Sequence, residues 1–185
     1  MTKRTVFASA AVAAALTTGL GTIAASHDDD HRRGTRRLKA DLRGFNEVAT
    51  VSSAARGSFQ AVLSEDETSI EYHLRFSGLE GSVLQSHIHF GDHHTNGGIS
   101  VWLCGTATNP GPSGTPLCAD PAIDPTSGDV TGTLTAAQVV GPAGQGIAAG
   151  EFEELVRAIR AGVTYANVHS TKFPGGEIRG AIRVD

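Results

Sequence analysis

The sequence predicts an all-β fold, an antiparallel Greek-key β-sandwich with one short helix. Three observations support this prediction. Apolar and polar residues alternate in short runs along most of the chain, turn residues separate these runs, and a single segment has helical spacing instead. About eight short strands with turns roughly every 8 to 12 residues are typical of a sandwich.

The first 26 residues have the pattern of an export signal. Lys3 and Arg4 precede an apolar run over residues 6–15, and small residues follow at 24–26. A membrane anchor is the competing interpretation. Polar and glycine residues at 17–22 interrupt the run, however, before it reaches the about 20 apolar residues that a span requires. We therefore expect a cleaved signal and a protein that is secreted, either extracellular or in the cell envelope (periplasmic).

The remainder of the chain is predicted to form a flexible charged tail over residues 27–37 and one β-sandwich domain over residues 38–185. The formal net charge is −4, and no long basic stripe is present. This charge pattern argues against a nucleic-acid partner. With the signal removed we expect no membrane span, so the partner would be an unknown protein or surface. The oligomeric state is not indicated.

The first clear strand pattern covers residues 69–78, where Ile70, Tyr72, Leu74 and Phe76 alternate with polar residues. Turn residues, including Asn-Gly-Gly and Pro-Gly-Gly, separate this run from its neighbours. Comparable runs cover residues 58–64, 86–90, 99–105, 129–134, 164–170 and 177–184.

One segment, residues 151–162, predicts the short helix. It begins with acidic residues, carries arginines toward its end and stops at Gly162. Its apolar residues have helical spacing, at Phe152, Leu155, Val156 and Ile159.

Two cysteines, Cys104 and Cys118, are the only ones in the chain. In an oxidising compartment an even number of cysteines indicates a disulfide. Closing the Gly- and Pro-rich loop between them would stabilise the fold by about 3 kcal/mol in the chain-entropy description. The alternative is two free thiols.

Four of the eight histidines lie within residues 86–94. His87 and His89 are two residues apart on a predicted strand, so both imidazoles project from one face. His169 lies on a distant predicted strand, and if the two strands are neighbours the three imidazoles converge in a set suited to copper or zinc. The alternative is a structural cluster held by backbone carbonyls and by Glu177 or Arg179.

Two further groups are weaker candidates. Asp92, His93 and His94 form a possible secondary metal site, although adjacent residues usually point apart and a solvated turn is the simpler interpretation. Glu177 and Arg179 share one face of the last predicted strand. We expect them to form a half-buried structural ion pair with a neighbouring strand, because buried charges require partners.

Five segments together resemble the CHRD domain, an exported microbial and extracellular module: LRGFNEV (42–48), SHIHFG (86–91), NGG (96–98), AGVTYANVHS (161–170) and FPGGEIRGAI (173–182). The resemblance covers about residues 38–185. The insertion around the two cysteines and the Ala-Thr pair after the first segment depart from it. The resemblance implies an extracellular β-sandwich with no generally assigned activity.

A weaker likeness concerns HIHFGD (87–92) and VHS (168–170), which are similar to copper-ligand segments of copper-zinc superoxide dismutases. It implies that His87, His89 and His169 hold copper in an immunoglobulin-like or superoxide-dismutase-like sandwich. No bridging histidine or zinc-binding aspartate can be placed, so the zinc half of that site has no counterpart in the sequence.

Two functional interpretations follow. The first and favoured one is a non-catalytic exported binding or structural module with a histidine metal site. The second is a superoxide-dismutase-like copper enzyme, which needs an open coordination position at the metal. No other catalytic residues are identified.

Overall fold

The computed structural model describes residues 36–185. The predicted signal and all but the last two residues of the predicted tail lie outside this range. The described part contains one α-helix and nine strands. The first strand begins at Arg37, the last residue of the predicted tail. The helix is α1 (Phe152–Arg160), and the strands are β1 (Arg37–Arg43), β2 (Arg56–Leu63), β3 (Ile70–Ser77), β4 (Val83–Phe90), β5 (Gly98–Cys104), β6 (Gly128–Leu134), β7 (Thr164–Ser170), β8 (Ile178–Ala181) and β9 (Arg183–Val184).

The strands form one sheet in the order β5-β4-β7-β8-β1-β2-β3-β6, with β9 beside β1. All the strand pairs are antiparallel. The two end strands approach each other, and the Tyr72 hydroxyl on β3 donates to the Leu103 carbonyl on β5. The sheet therefore folds over on itself in two layers, and the predicted all-β antiparallel sandwich with one helix is confirmed.

β1 was not among the runs that sequence reasoning identified. Its residues alternate between exposed and buried, with Leu38, Ala40 and Leu42 pointing into the core. The alternation is therefore legible in the sequence, although residues 38–43 were assigned to the domain without a strand. The run predicted at 177–184 divides at the buried Ile182, so that β8 pairs with β7 while β9 pairs with β1.

β7 differs from the other strands because all seven of its residues are buried. It lies between β4 and β8, and one of its faces carries Ala166 and Val168 in the hydrophobic core. The opposite face carries Tyr165, Asn167 and His169, and it is covered as well. A covered polar face requires internal partners for its polar groups, and this face holds the candidate site.

The helix α1 follows the predicted pattern. Glu153 and Glu154 lie in its first turn and Arg157 and Arg160 in its last, which complements the helix dipole. Gly162 follows the helix end with a φ of +72°, a left-handed conformation that favours glycine. The apolar face of the helix packs beside β1, β2, β3 and β9, with Val156 and Ile159 next to Leu38, Leu63, Ile70 and Val184.

Cys104 and Cys118 form the predicted disulfide, with 4.8 Å between their Cα atoms. The loop that it closes packs back onto β5, where Gly111 lies against the indole ring of Trp102. Asn109 in the same loop donates to the side chain of Gln85 on β4. Within residues 36–185, no helix has the length and apolar character needed to cross a bilayer.

Candidate metal centre

The pairing of β4 with β7 brings the three predicted histidines together. In the register of this antiparallel pair, Gln85 lies opposite His169 and His87 lies opposite Asn167. His89 is opposite Tyr165, so His87, His89 and His169 project from the same face of two neighbouring strands. The strand adjacency on which the sequence interpretation depended is thus present. We call these three residues the histidine cluster.

The cluster is compact and buried. Its three potential ligand nitrogens lie within 4.8 Å of one another, and His87 Nδ1 is 3.2 Å from His169 Nε2. The exposed fractions are 0% for His87, 8% for His89 and 6% for His169. Among the described residues, no other group of three or more histidine, cysteine or acidic side chains is arranged to hold an ion.

Backbone carbonyls orient two of the rings. His89 Nδ1–H donates to the Gly97 carbonyl at 2.8 Å, and His169 Nδ1–H donates to the Pro174 carbonyl at 2.9 Å. Each Nε2 atom then carries a lone pair, as in metal-binding histidines whose second ring nitrogen is held by a backbone carbonyl. The Nε2 atom of His169 also lies 3.0 Å from Asn167 Oδ1. The backbone at residue 97 lies so close to β4 that only glycine fits, because a β-carbon there would lie 1.9 Å from the Phe90 carbonyl oxygen.

Burial keeps the imidazoles neutral. Desolvation, with the nearby His169 and His89, lowers the pKa of His87 to about 2. Desolvation also lowers the pKa of His169 to about 4, despite its hydrogen bond to Pro174. Desolvation lowers the pKa of His89 as well, and the Arg179 charge acts in the same direction. A neutral imidazole has the lone pair that a metal ligand needs.

The cluster leaves ligand atoms without protein partners. His87 Nε2 and His89 Nε2 are buried and have no hydrogen-bond partner among the described residues. Such groups are uncommon because they cost free energy. The 3.2 Å separation of His87 Nδ1 and His169 Nε2 is close to the ~3.3 Å expected for two nitrogens on one tetrahedral ion at 2.0–2.1 Å. A metal ion would supply a partner for His89 Nε2, whereas on His87 the nitrogen that faces His169 is Nδ1 and not the unpartnered Nε2.

Aromatic rings enclose the cluster. The Trp102 ring meets His87 edge to face, with 4.4 Å between ring centroids. Tyr165 stacks parallel on His89 with a centroid distance of 4.9 Å. The disulfide-closed loop covers the Trp102 side, since Gly111 lies against the indole ring. The cysteine segment that departs from the CHRD pattern thus shields the histidines from solvent.

A second buried polar group lies on β8, next to β7. The Arg179 guanidinium donates to the Asn46, His93 and Thr95 carbonyls and to the Asn96 side chain over 2.7–3.2 Å. Its carbon Cζ lies 4.4 Å from the Tyr165 ring centroid, so this ring separates Arg179 from His89. We call Arg179 and the groups that it bonds the arginine cluster.

The carboxylate beside Arg179 is one that sequence reasoning missed. Glu47 Oε2 lies 3.7 Å from Arg179 Nε, and both residues are buried. Burial raises the pKa of Glu47 to about 7, an effect that the Arg179 charge only partly offsets. Glu177, which the sequence analysis grouped with Arg179, accepts instead from Ser53 Oγ and from the Glu80 backbone amide. Glu47 precedes a loop far away in sequence, so spacing gave no signal.

The loop candidates Asp92, His93 and His94 are exposed. His93 Nδ1 lies 2.7 Å from Asp92 Oδ1, and the His93 and His94 ring centroids are 3.8 Å apart. The His93 carbonyl, rather than its imidazole, contacts Arg179. The structure thus shows a local histidine–aspartate contact in this loop and a backbone link to the arginine cluster.

A polar groove of about 1150 Å³ lies on the other side of the arginine cluster. Arg43, Phe45, Glu47, Tyr165 and Arg179 contribute to its lining, and none of the three imidazoles does. The histidine cluster is therefore separate from this groove.

The comparisons with known proteins agree with this architecture. The family model of the CHRD domain matches residues 38–182, which is most of the chain and nearly all of the described part. No curated protein matches the chain.

Proposed function

Because the chain belongs to the CHRD-domain family, we propose that it is an exported, non-catalytic binding or structural module in which His87, His89 and His169 hold one copper or zinc ion. The observation that carries the proposal is the convergence of three neutral imidazoles inside the fold, two of which, His87 and His89, have a buried nitrogen without a partner. Imidazole is a good ligand for both metals.

The burial of the cluster supports a structural role over catalysis. A catalytic metal keeps a coordination position that substrate can reach. His87 is fully buried, and Trp102 and Tyr165 enclose the rings. The groove, which would be the natural entrance for a substrate, does not reach the imidazoles.

A bound ion would act on the fold by joining β4 to β7. His87 and His89 belong to one strand and His169 to the other. The hydrogen bonds of His89 to Gly97 and of His169 to Pro174 would extend this link to two loops. A ligand that binds only the folded chain stabilises it, so the metal would stabilise the surfaces that these loops present to a partner.

The disulfide supports export, since such bonds persist in oxidising compartments. The predicted signal lies outside the described residues, so we test it separately. Mass spectrometry of the mature protein from a native-like exporting host should find an amino terminus near residue 27. An intact amino terminus on protein retained in the cell would contradict export.

Elemental analysis tests the metal site. We expect about one copper or zinc per full-length chain purified without added metal, in keeping with one three-histidine site. A His87→Ala/His89→Ala variant should lose it. A His93→Ala/His94→Ala variant removes two exposed imidazoles instead and should retain it. Metal absent from all three proteins after incubation with copper and zinc would refute the metal site and return the cluster to a purely structural role.

A further inference from the structure

The occupant of the histidine cluster can be specified further from its charge and its ligand number. We infer that the cluster is built for a monovalent ion, copper(I), in preference to zinc(II) or copper(II). This inference rests on the proposed function, since it requires that the cluster bind a metal, but it makes a separate claim about which one.

The first argument is the absence of compensating negative charge. Imidazoles are neutral ligands, and the cluster contains no carboxylate. Apart from the imidazoles themselves, the charged side chain that acts on the cluster is the cation Arg179, through His89. An ion held here thus keeps its full charge in a buried site, near the Arg179 cation and the Glu47 carboxyl that lies 3.7 Å from Arg179 Nε.

The free-energy cost of burying the ion depends on its charge. The Born cost of burying an ion increases with the square of its charge, so a divalent ion pays about four times the desolvation cost of a monovalent ion of similar radius. Zinc sites in proteins commonly offset this cost with thiolate or carboxylate ligands. The histidine cluster offers neither, which favours the ion of lower charge.

The second argument is the number of ligands. Structural zinc is almost always four-coordinate, and copper(II) prefers tetragonal nitrogen and oxygen sites. Copper(I), a closed-shell ion, accepts three ligands without a fourth. The cluster supplies three imidazoles, their burial restricts access of water, and the further donor beside them is the neutral amide oxygen of Asn167.

Asn167 provides a way to test the charge argument directly. Its Oδ1 lies 3.0 Å from His169 Nε2, and the residue is buried on the same face of β7. Asn167→Asp is nearly isosteric and places a carboxylate beside the ligands. If missing negative charge excludes divalent ions, this substitution should admit them.

Trp102 supplies a built-in reporter. It is the single tryptophan of the chain, and its ring centroid is 4.4 Å from that of His87. Copper beside the ring should quench its emission, whereas zinc should change the emission little. The signal can therefore be followed in the unmodified chain.

The experiment is an anaerobic titration of the metal-free full-length chain with copper(I) buffered by bicinchoninate. Parallel titrations use zinc(II) and copper(II), each with a competing chelator. We expect one copper(I) per chain, quenched Trp102 emission and an affinity at least about 100-fold higher than that for zinc(II), as the unequal desolvation costs predict. Copper(I) should displace bound zinc(II), and a tenfold excess of zinc(II) should not displace copper(I).

The Asn167→Asp variant should narrow the copper(I)-to-zinc(II) affinity ratio by about tenfold or more, because the carboxylate offsets charge in a buried site. Gln60→Glu makes the same amide-to-carboxylate change on an exposed position of β2 and should leave the ratio unchanged. Circular dichroism checks that both variants fold. The wild-type titration decides the question even if the Asn167 variant does not fold.

The outcomes separate this inference from the proposed function. Zinc(II) or copper(II) that binds as tightly as copper(I), and is lost from the His87→Ala/His89→Ala variant, would overturn the copper(I) preference while leaving the metal site intact. No binding of any of the three ions would overturn both.

Discussion

The histidine cluster and the arginine cluster are neighbouring buried polar groups that are satisfied in opposite ways. In the arginine cluster, each guanidinium nitrogen of Arg179 donates to an oxygen of this chain. In the histidine cluster, His87 Nε2 and His89 Nε2 have no partner among the described residues. The two clusters share one ring, that of Tyr165, which contacts both Arg179 and His89.

This difference indicates what each cluster is for. A buried cation whose donors are all used is complete, and it acts on the fold by joining loops. Arg179 links the loop that contains Asn46 to the loop at residues 93–96. Neutral bases with unused lone pairs are incomplete, and the missing group is an acceptor of those lone pairs. Burial lowers the pKa of His87 to about 2, which disfavours a proton near neutral pH, and the proposed metal ion would accept these lone pairs.

Among the changes predicted here, Arg179→Leu should lower the free energy of unfolding the most. It would leave three partly buried hydrogen bonds unmade and the buried Glu47 without its neighbouring cation. Removing one partner from such a buried group destabilises proteins by about 3–5 kcal/mol, which corresponds to a fall in Tm of about 6–20 °C for a domain of this size. Thermal unfolding followed by circular dichroism measures the change.

The matched control is Arg43→Leu, because Arg43 is an exposed arginine on β1. Its effect should stay within about 0.5 kcal/mol, as for most surface substitutions. Metal stoichiometry should be unchanged in both variants, since neither removes an imidazole. An unchanged Tm in Arg179→Leu would show that the arginine cluster does not support the fold.

The two clusters also differ in how far the sequence predicts them. His87 and His89 are two apart on a strand and His169 lies on another, so period and residue type identified all three. The arginine cluster combines Arg179 with Glu47 and with backbone carbonyls of two loops. Carbonyls carry no residue-type signal, and loop positions follow no period. The sequence therefore predicted that Arg179 is buried and paired, but it grouped Arg179 with Glu177 and gave no indication of Glu47.

The same limit applies to the fold. Alternating apolar residues predicted the seven runs that form β2 to β9, the last of which divides into β8 and β9, as well as the helix. They are also present in β1, of which residues 38–43 were placed in the domain without a strand prediction and Arg37 was placed in the charged tail. Strand order depends on tertiary pairing, and a single sequence does not specify it. Consequently the β4–β7 adjacency remained a condition of the metal hypothesis until the structure was known.

Metal addition should raise stability by the next largest amount. At a free metal concentration 100 times the Kd, binding to the folded state adds about 2.7 kcal/mol, or about 5–11 °C in Tm. The shift should be present in the wild type and in Arg179→Leu and absent in His87→Ala/His89→Ala. An equal shift in the last variant would place the metal elsewhere and break the contrast between the two clusters.

In the metal-free chain, the two clusters should change the free energy of unfolding in opposite directions as the pH changes. The pKa values of His87 and His169, about 2 and about 4, lie below the ordinary value of 6.5. Their contribution is complete above pH 6.5 and is lost as the pH falls, because the unfolded chain then binds protons that the folded chain does not. Glu47 acts oppositely, since its pKa is raised from 4.5 to about 7. Its contribution is complete below pH 4.5 and is lost as the pH rises through 7.

Between pH 6.5 and 5, the two histidines together outweigh Glu47, so the free energy of unfolding should fall as the pH falls. The slope should approach about 1.4 kcal/mol per pH unit, the value for one net proton, near pH 5. Chemical denaturation at several pH values measures this slope. In Glu47→Gln the slope should become steeper, because the opposing contribution is removed. A slope that is unchanged in Glu47→Gln would mean that Glu47 does not titrate in this range.

Tyr165→Phe should have the smallest effect on stability and tests whether the clusters are linked. The variant keeps the ring between Arg179 and His89 and removes only the hydroxyl, which accepts from the Gly97 amide at 3.1 Å. Losing one such hydrogen bond costs about 0.5–1.5 kcal/mol.

Tyr72→Phe is a suitable comparison, because it removes another buried tyrosine hydroxyl, the one that donates to Leu103. Gly97 also accepts from His89, so a less firmly held Gly97 should weaken metal binding about three- to tenfold in Tyr165→Phe, somewhat less than direct loss of a group that orients a ligand. Tyr72→Phe should bind metal as the wild type does. Equal metal affinities in the two variants would mean that Tyr165 serves the arginine cluster alone and that the histidine cluster is oriented without it.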